Sequence, residues 1–280
     1  MVAALFFVAA NGLAQTKAGV SFDQTITSVN TSAGRYDSST NVLHTLSTGG
    51  NIRIEMSNTN MFARMGRLSP GAHGVILVRQ GGAETVLLNP DTKEYLSIKP
   101  LDMMAGVKKM LEGMGGSITF DTSATHVSLD SVGPGPTIDG HPTVHYTLKA
   151  AVKMTIAMMG DAMTNEEAST TDIYSATDMS DFRDVANGWS QFMDATRSMG
   201  IGGELFAKMK ETQSRIRGFP LRAIKHSTRS QRGQSQTVTE TIESRNIKRV
   251  SLPDSLFAIP AGYKPITMPV FPGAGRENAP

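Results

Sequence analysis

The chain has 280 residues, with 27 Lys and Arg against 25 Asp and Glu, and the resulting charge of +2 is too balanced to raise the field of a dedicated nucleic-acid binder. It contains no cysteine, which excludes a thiol nucleophile, a Cys-ligated metal and lipid attachment through an N-terminal Cys. A chain of this length buries a sizeable core, and no long spacer of biased composition divides it, so one principal domain is expected.

Residues 1–10 form an apolar run of about ten, too short to span a bilayer and suited to the h-region of a signal peptide. Gly12 and Ala14 meet the small-x-small requirement of signal peptidase, which makes residues 1–14 the expected signal peptide and Gln15 the first mature residue. The competing reading is an ordinary buried N-terminal helix. No Lys or Arg precedes the apolar run, so a basic n-region is expected upstream of Met1 or to have been trimmed. No later run reaches about eighteen apolar residues, and the expected location is therefore the periplasm or the exterior, with a freely soluble mature protein.

From Gln15 onward, short β segments alternate with Gly, Pro, Asn and Asp. Val20 to Val29 and Asn51 to Met56 place apolar or β-branched groups near period 2. Val75 to Arg79 and Thr85 to Leu88 flank Gly81 and Gly82, a hairpin turn, and Asn89 to Thr92 turns the chain again into Lys93 to Ile98. Leu101 to about Met114 reads as a helix, weakened by Gly106 and Gly113. Strands are expected from His126 to Val132, Thr143 to about Met158 and Ala168 to Tyr174. A second helix runs from about Asp181 to Lys210, with Trp189 and Phe192 on one face and a break at Gly200 to Gly203. Pro220 to Thr228 and Gln236 to Arg249 form a hairpin, and residues 265–280, rich in Pro and Gly, are expected to be a disordered tail. The fold class is α+β, mainly β, with one antiparallel sheet over residues 15–264 and helices packed on a single face.

No catalytic constellation emerges, and the protein is read as not an enzyme. His141 and His145 are the only histidines close in sequence, and on a strand they stand roughly 13 Å apart, too far for one metal ion. Neither a nucleophile elbow nor a phosphate loop is present; Gly200 to Gly203 follows a helix and lacks the Lys-Ser continuation. No metal and no cofactor is expected. Glu166 and Glu167 read as a solvated pair.

Methionine is abundant, at 17 residues, and an unbranched thioether side chain accepts apolar partners of varied shape as readily as it fills core gaps. Met103, Met104 and Met110, with Trp189, Phe192 and Met193, are the candidate lining of an apolar ligand cavity. Core filling is the alternative. A basic stretch near the C-terminus offers Arg222, Lys225, Arg229 and Arg245 as a patch for an anionic membrane surface or an acidic partner, or else as charges that blunt a strand edge.

Five stretches carry a resemblance: Val86 to Tyr95, Ile138 to Thr147, Thr171 to Ser175, Gly218 to Arg222 and Leu256 to Lys264. Together they resemble the DUF4412 type of exported protein, similar in layout to the LolA/LolB-like lipoprotein carriers, over about residues 18 to 264. The resemblance implies a strongly curved antiparallel sheet, an incomplete barrel, with helices on its concave face. It brings no catalytic residues. Three function classes stay open: an exported binding protein for a lipid, acyl chain or lipoprotein; an envelope structural or interaction protein with a filled core; and a hydrolase with dispersed groups.

Overall fold

The computed structural model describes residues 16–32, 34–48, 50–57, 73–158, 161–179, 182, 203–231 and 233–267. The expected signal peptide, residues 1–14, lies outside the described residues, as does the tail beyond residue 267. Among the described residues there are thirteen strands: β1 (Thr16–Ser32), β2 (Arg35–Thr48), β3 (Asn51–Ser57), β4 (Val75–Arg79), β5 (Glu84–Asn89), β6 (Glu94–Ile98), β7 (Ser117–Phe120), β8 (His126–Pro134), β9 (Thr143–Met158), β10 (Asp161–Ala176), β11 (Phe219–Gln231), β12 (Gln234–Pro253) and β13 (Lys264–Pro265). The described helices are α1 (Pro100–Gly113) and α2 (Gly203–Ser214). None is long and apolar enough to cross a membrane.

All the strands belong to one sheet in the order β13-β6-β5-β4-β3-β2-β1-β12-β11-β10-β9-β7, with β8 also on β9. β7 pairs with the distal part of β9 and β8 with its proximal part, so these two short strands share one edge end to end. Among the described residues no pairing joins that edge to β13, and the sheet is open. Two meanders, β1 to β6 and β7 to β12, are joined by the antiparallel pairing of β1 with β12, from Thr16 opposite Pro253 to Ser32 opposite Gln236.

Local chemistry explains the turns. Gly81 and Gly82 take φ of 65° and 102° in a short 3-10 turn, the left-handed region that glycine enters without a Cβ penalty. The Asn89 side-chain oxygen accepts from the Asp91 and Thr92 amides and closes the β5–β6 turn.

Burial follows the pleat. On the core face, Val20 and Phe22 of β1 pack with Ala176, Met179, Phe182, Phe219 and Leu221. Farther along that face, Leu129, Tyr146 and Ile173 form a second cluster. Around β4 and β5 both faces are buried, because the C-terminal segment crosses the opposite face. Ile259 and Tyr263 pack there on Val75, Leu77, Val86 and Leu88, and the segment then pairs in parallel with β6. A strand buried on two sides needs a continuous apolar run, as in Val75 to Val78.

The expectation of helices packed across one face is corrected here. Among the described residues, α1 touches β7 and α2 touches β8, so both sit at the same sheet edge. The middle of the core face is instead filled by the sheet's own side chains with Met179 and Phe182, just beyond the end of β10. The helix expected over Asp181 to Lys210 coincides with α2 only from Gly203; apart from Phe182, residues 181–202 lie outside the described residues.

Two glycines test this packing from opposite directions. Gly218 sits at φ +83°, and a Cβ there would run into the Ala176 carbonyl oxygen, so Gly218→Ala is expected to destabilise the fold by about 2 kcal/mol or more. Gly106 lies inside α1 with open space around the position, so Gly106→Ala should stabilise by up to about 1 kcal/mol. Urea unfolding followed by circular dichroism measures both; equal effects of the two substitutions would contradict the packing.

Candidate functional site

The register of the long strands lines up core-face side chains in rows. One row holds Glu240, Lys225, Thr171 and Leu148; the next holds Val238, Ser227, Ser169 and Ala150; a third holds Gln236, Arg229, Glu167 and Val152. The middle row is mostly small, and longer side chains rise on both sides of it. A trough results.

That trough is a groove of about 530 Å³ running over β9, β10 and β11 toward the hairpin ends of β1 and β12. Its two walls differ. Along β9, Ala150, Val152 and Met154 form an apolar wall that Phe120 of β7 and Met209 of α2 extend. From Ala150 to Met154 the wall runs for about 13 Å. Across from it stand Glu167 on β10 and Lys225 and Arg229 on β11, with Gln231 and Gln236 toward the mouth.

The polar wall is organised by one carboxylate. Glu167 Oε1 accepts from Lys225 Nζ at 2.8 Å, and its Oε2 accepts from Arg229 Nε at 3.0 Å. Burial pushes the Glu167 pKa up, but the hydrogen bond and charge of Lys225, joined by those of Arg229, outweigh it and hold the carboxyl below its ordinary value. Sequence reading places Glu166 and Glu167 together in solvent; on a strand, adjacent residues face opposite ways, and Glu166 instead meets Lys153 at 3.1 Å.

The four bases of the expected patch are brought together two and two, on opposite faces. Lys225 and Arg229 line the groove. Arg222 and Arg245 lie on the opposite face, where both bond to Glu243, at 2.8 and 3.1 Å. An even separation keeps two strand residues on one face and an odd one divides them, which splits Arg222 from Lys225. Of the expected cavity residues, Met103 is exposed and Met110 half-buried on α1; neither lines the groove. Of Met104 only the helical backbone is described, and Trp189, Phe192 and Met193 lie outside the described residues.

Between β1 and β9 the opposite face is mostly polar and carries histidine–aspartate pairs. His44 Nδ1 meets Asp23 at 2.7 Å, and the bonds to Asp23 from His44 and from Asn246 hold its pKa below the usual value. His145 Nε2 meets Asp172 at 2.9 Å while its ring stacks on Tyr174. Burial alone would raise the Asp172 pKa; bonds from His145 and Thr147 bring it below the usual value. His141, in the turn before β9, meets Asp178 at 2.8 Å. No group of three or more potential metal-binding side chains is found among the described residues.

Against known proteins, a model of the family described as Domain of unknown function (DUF4412) matches residues 39–263. The chain belongs to the DUF4412 family. The match covers every groove residue except Ser32, from the β1 end of the mouth. No curated protein matches this DUF4412 chain. Among solved structures it is similar to PNGF-II in a C2 space group, at 10% identity and a TM-score of 0.28 over 87% of this chain. It spans 30% of the length of that protein. It is also similar to a domain assigned to outer membrane lipoprotein sorting in Vibrio parahaemolyticus, at 7% identity and a TM-score of 0.23, covering 83% of this chain and 85% of that one. Likeness at those scores carries no argument about fold or activity.

The Glu167 clamp makes stability pH-dependent with a defined sign. A carboxyl whose pKa is lowered on folding stabilises the folded chain above its ordinary pKa of 4.5, and that contribution fades as pH falls through the lower folded value. Glu167→Gln is expected to cost about 1 kcal/mol at pH 7, with the gap from the unmodified protein closing as the pH is lowered through that window. Unfolding curves from pH 7 down to 3 check this; a gap that widens on acidification would contradict the clamp.

Proposed function

We propose that this DUF4412 protein is a non-catalytic, exported binding protein that takes an apolar chain, from a lipid or another amphiphile, into the core-face groove. The observation that carries the reading is the pairing of an apolar wall with a polar one in a single groove of about 530 Å³. That volume is within the range of sites that hold small molecules, and an apolar wall with a few convergent polar groups is their common composition.

The export half of the reading rests on the apolar run of residues 1–10 and the small residues at Gly12 and Ala14. With a periplasmic or external location, the candidate ligands are envelope lipids, acyl chains and lipoproteins. The Met-bearing α1 touches β7, which bears Phe120 of the apolar end of the groove, and this supports a role for Met103, Met104 and Met110 beside that end. They are proposed as an adaptable flank for a longer chain.

One observation favours the reading with no ligand. Lys225, Arg229 and Glu167 already satisfy one another, so the polar wall is stable without an occupant. A neutral apolar dye decides between the two readings. The unmodified protein should bind N-phenylnaphthylamine saturably, and Val152→Trp, which fills the groove, should weaken that binding by about tenfold or more. Absence of saturable binding, together with a bare protein mass after purification from its own envelope, would leave the ligand-free structural role standing.

A further inference from the structure

The groove has a feature that an apolar chain alone does not use. Two cations, Lys225 and Arg229, stand four positions apart on β11, and a single carboxylate, Glu167, bridges the space between them. Arg229 stands directly across from Glu167, whereas Lys225 lies four strand positions away, about 13 Å at the backbone, so the Lys225 and Glu167 side chains lean toward each other along the strands. The Lys225–Glu167 pair thereby spans the row of small residues at the groove bottom, where Ser169 and Ala150 lie. The meeting point of the two cations is thus inside the groove, beside the apolar wall of Val152 and Met154.

The charges around that point are few. Glu166, which also lines the groove, is paired with Lys153. Glu240 stands directly across from Lys225 on β12, outside the groove lining. The groove-lining groups that meet here carry two positive charges and one negative, and Glu240 adds a second negative charge beside Lys225 on the same face. A second carboxylate brought in on a ligand would meet a lysine and an arginine already posed for carboxylate oxygens, and charge-assisted bonds of this kind are about twice as strong as neutral ones.

We infer that the ligand of this groove is a long-chain fatty acid, its chain along Ala150, Val152 and Met154 and its carboxylate on Lys225 and Arg229, where Glu167 is the internal competitor. The inference rests on the binding reading above and adds the head group to it. Glu167 holds the two cations in place in the empty groove, in the position a ligand carboxylate takes over. Removing its charge therefore frees the cations for the ligand, an effect opposite to that expected of a residue that merely supports the wall.

Palmitate and its methyl ester share one chain and differ only in head charge, and displacement of a bound neutral dye reads both. The unmodified protein should bind palmitate about tenfold tighter than the ester. Glu167→Gln should raise that ratio about tenfold further, while Lys225→Gln combined with Arg229→Gln should bring it close to one. Thermal melts establish that each variant is folded. Hexadecyl phosphate serves as the second anionic head: weaker binding than palmitate supports a site shaped for a carboxylate, and tighter binding overturns the fatty-acid assignment. Equal affinity for palmitate and ester in the unmodified protein, or weaker palmitate binding in Glu167→Gln, overturns the head-group inference while leaving the apolar groove intact. If neither amphiphile displaces the dye, the groove reading and the inference fall together.

Discussion

The structure depends on the pairing of its first described strand with its last long one. β1 and β12 run antiparallel over nearly their whole lengths, although more than two hundred residues separate partners such as Ile26 and Ile242. Closing a loop of that length carries an entropic cost that local strand pairings do not, so the seam is held by the register of the whole ladder rather than by any local turn. Without it the two meanders are separate sheets, each with an unpaired long strand, and the β1 side of the core face is removed from the groove mouth.

The seam also aligns the two kinds of chemistry that the faces carry. On the core face, apolar clusters at Phe22, Phe219 and Leu221 and at Tyr146 and Ile173 give way toward the hairpin ends to the small residues and charges of the groove. On the opposite face, polar residues dominate between β1 and β9, and the C-terminal segment covers the β3 to β6 region. A carboxylate shared by two bases recurs on both faces, Glu167 in the groove and Glu243 behind it. This arrangement divides a basic stretch of sequence into two clusters, each of two bases around one carboxylate. The composition of β11 and β12 alone does not show it.

Much of the sheet was legible in the sequence, and the parts that were not have physical causes. The strands around Val75, Val86 and Tyr95 announce themselves through apolar runs cut by Gly and Asn turns, and β9 over Thr143–Met158 coincides with its expected range. β2 is not evident from the sequence because Arg35 to Thr40 is exposed and, apart from Tyr36, polar, while part of its buried face is filled by Thr45 and Ser47 rather than by apolar groups. β7 is a four-residue strand on an edge, too short to carry a period. α1 was legible from its spacing, but its packing at an edge was not, since helical periodicity names a face without naming its neighbour. The groove was the least legible part. Lys225 and Arg229 could be listed as bases, yet Glu167 joins them across 58 and 62 residues of sequence, and no local pattern gives that register.

Hydrogen exchange across the seam tests the account most directly. If β1 and β12 unite the two meanders into one cooperative sheet, the amides of Val20 to Val29 and of Thr239 to Ser244 will exchange only through global unfolding, with the same free energy as those in the middle of β9 and β10. Seam amides that open at a distinctly lower free energy, while β9 and β10 stay protected, would show two meanders that fold independently and would contradict a single sheet carrying a single groove.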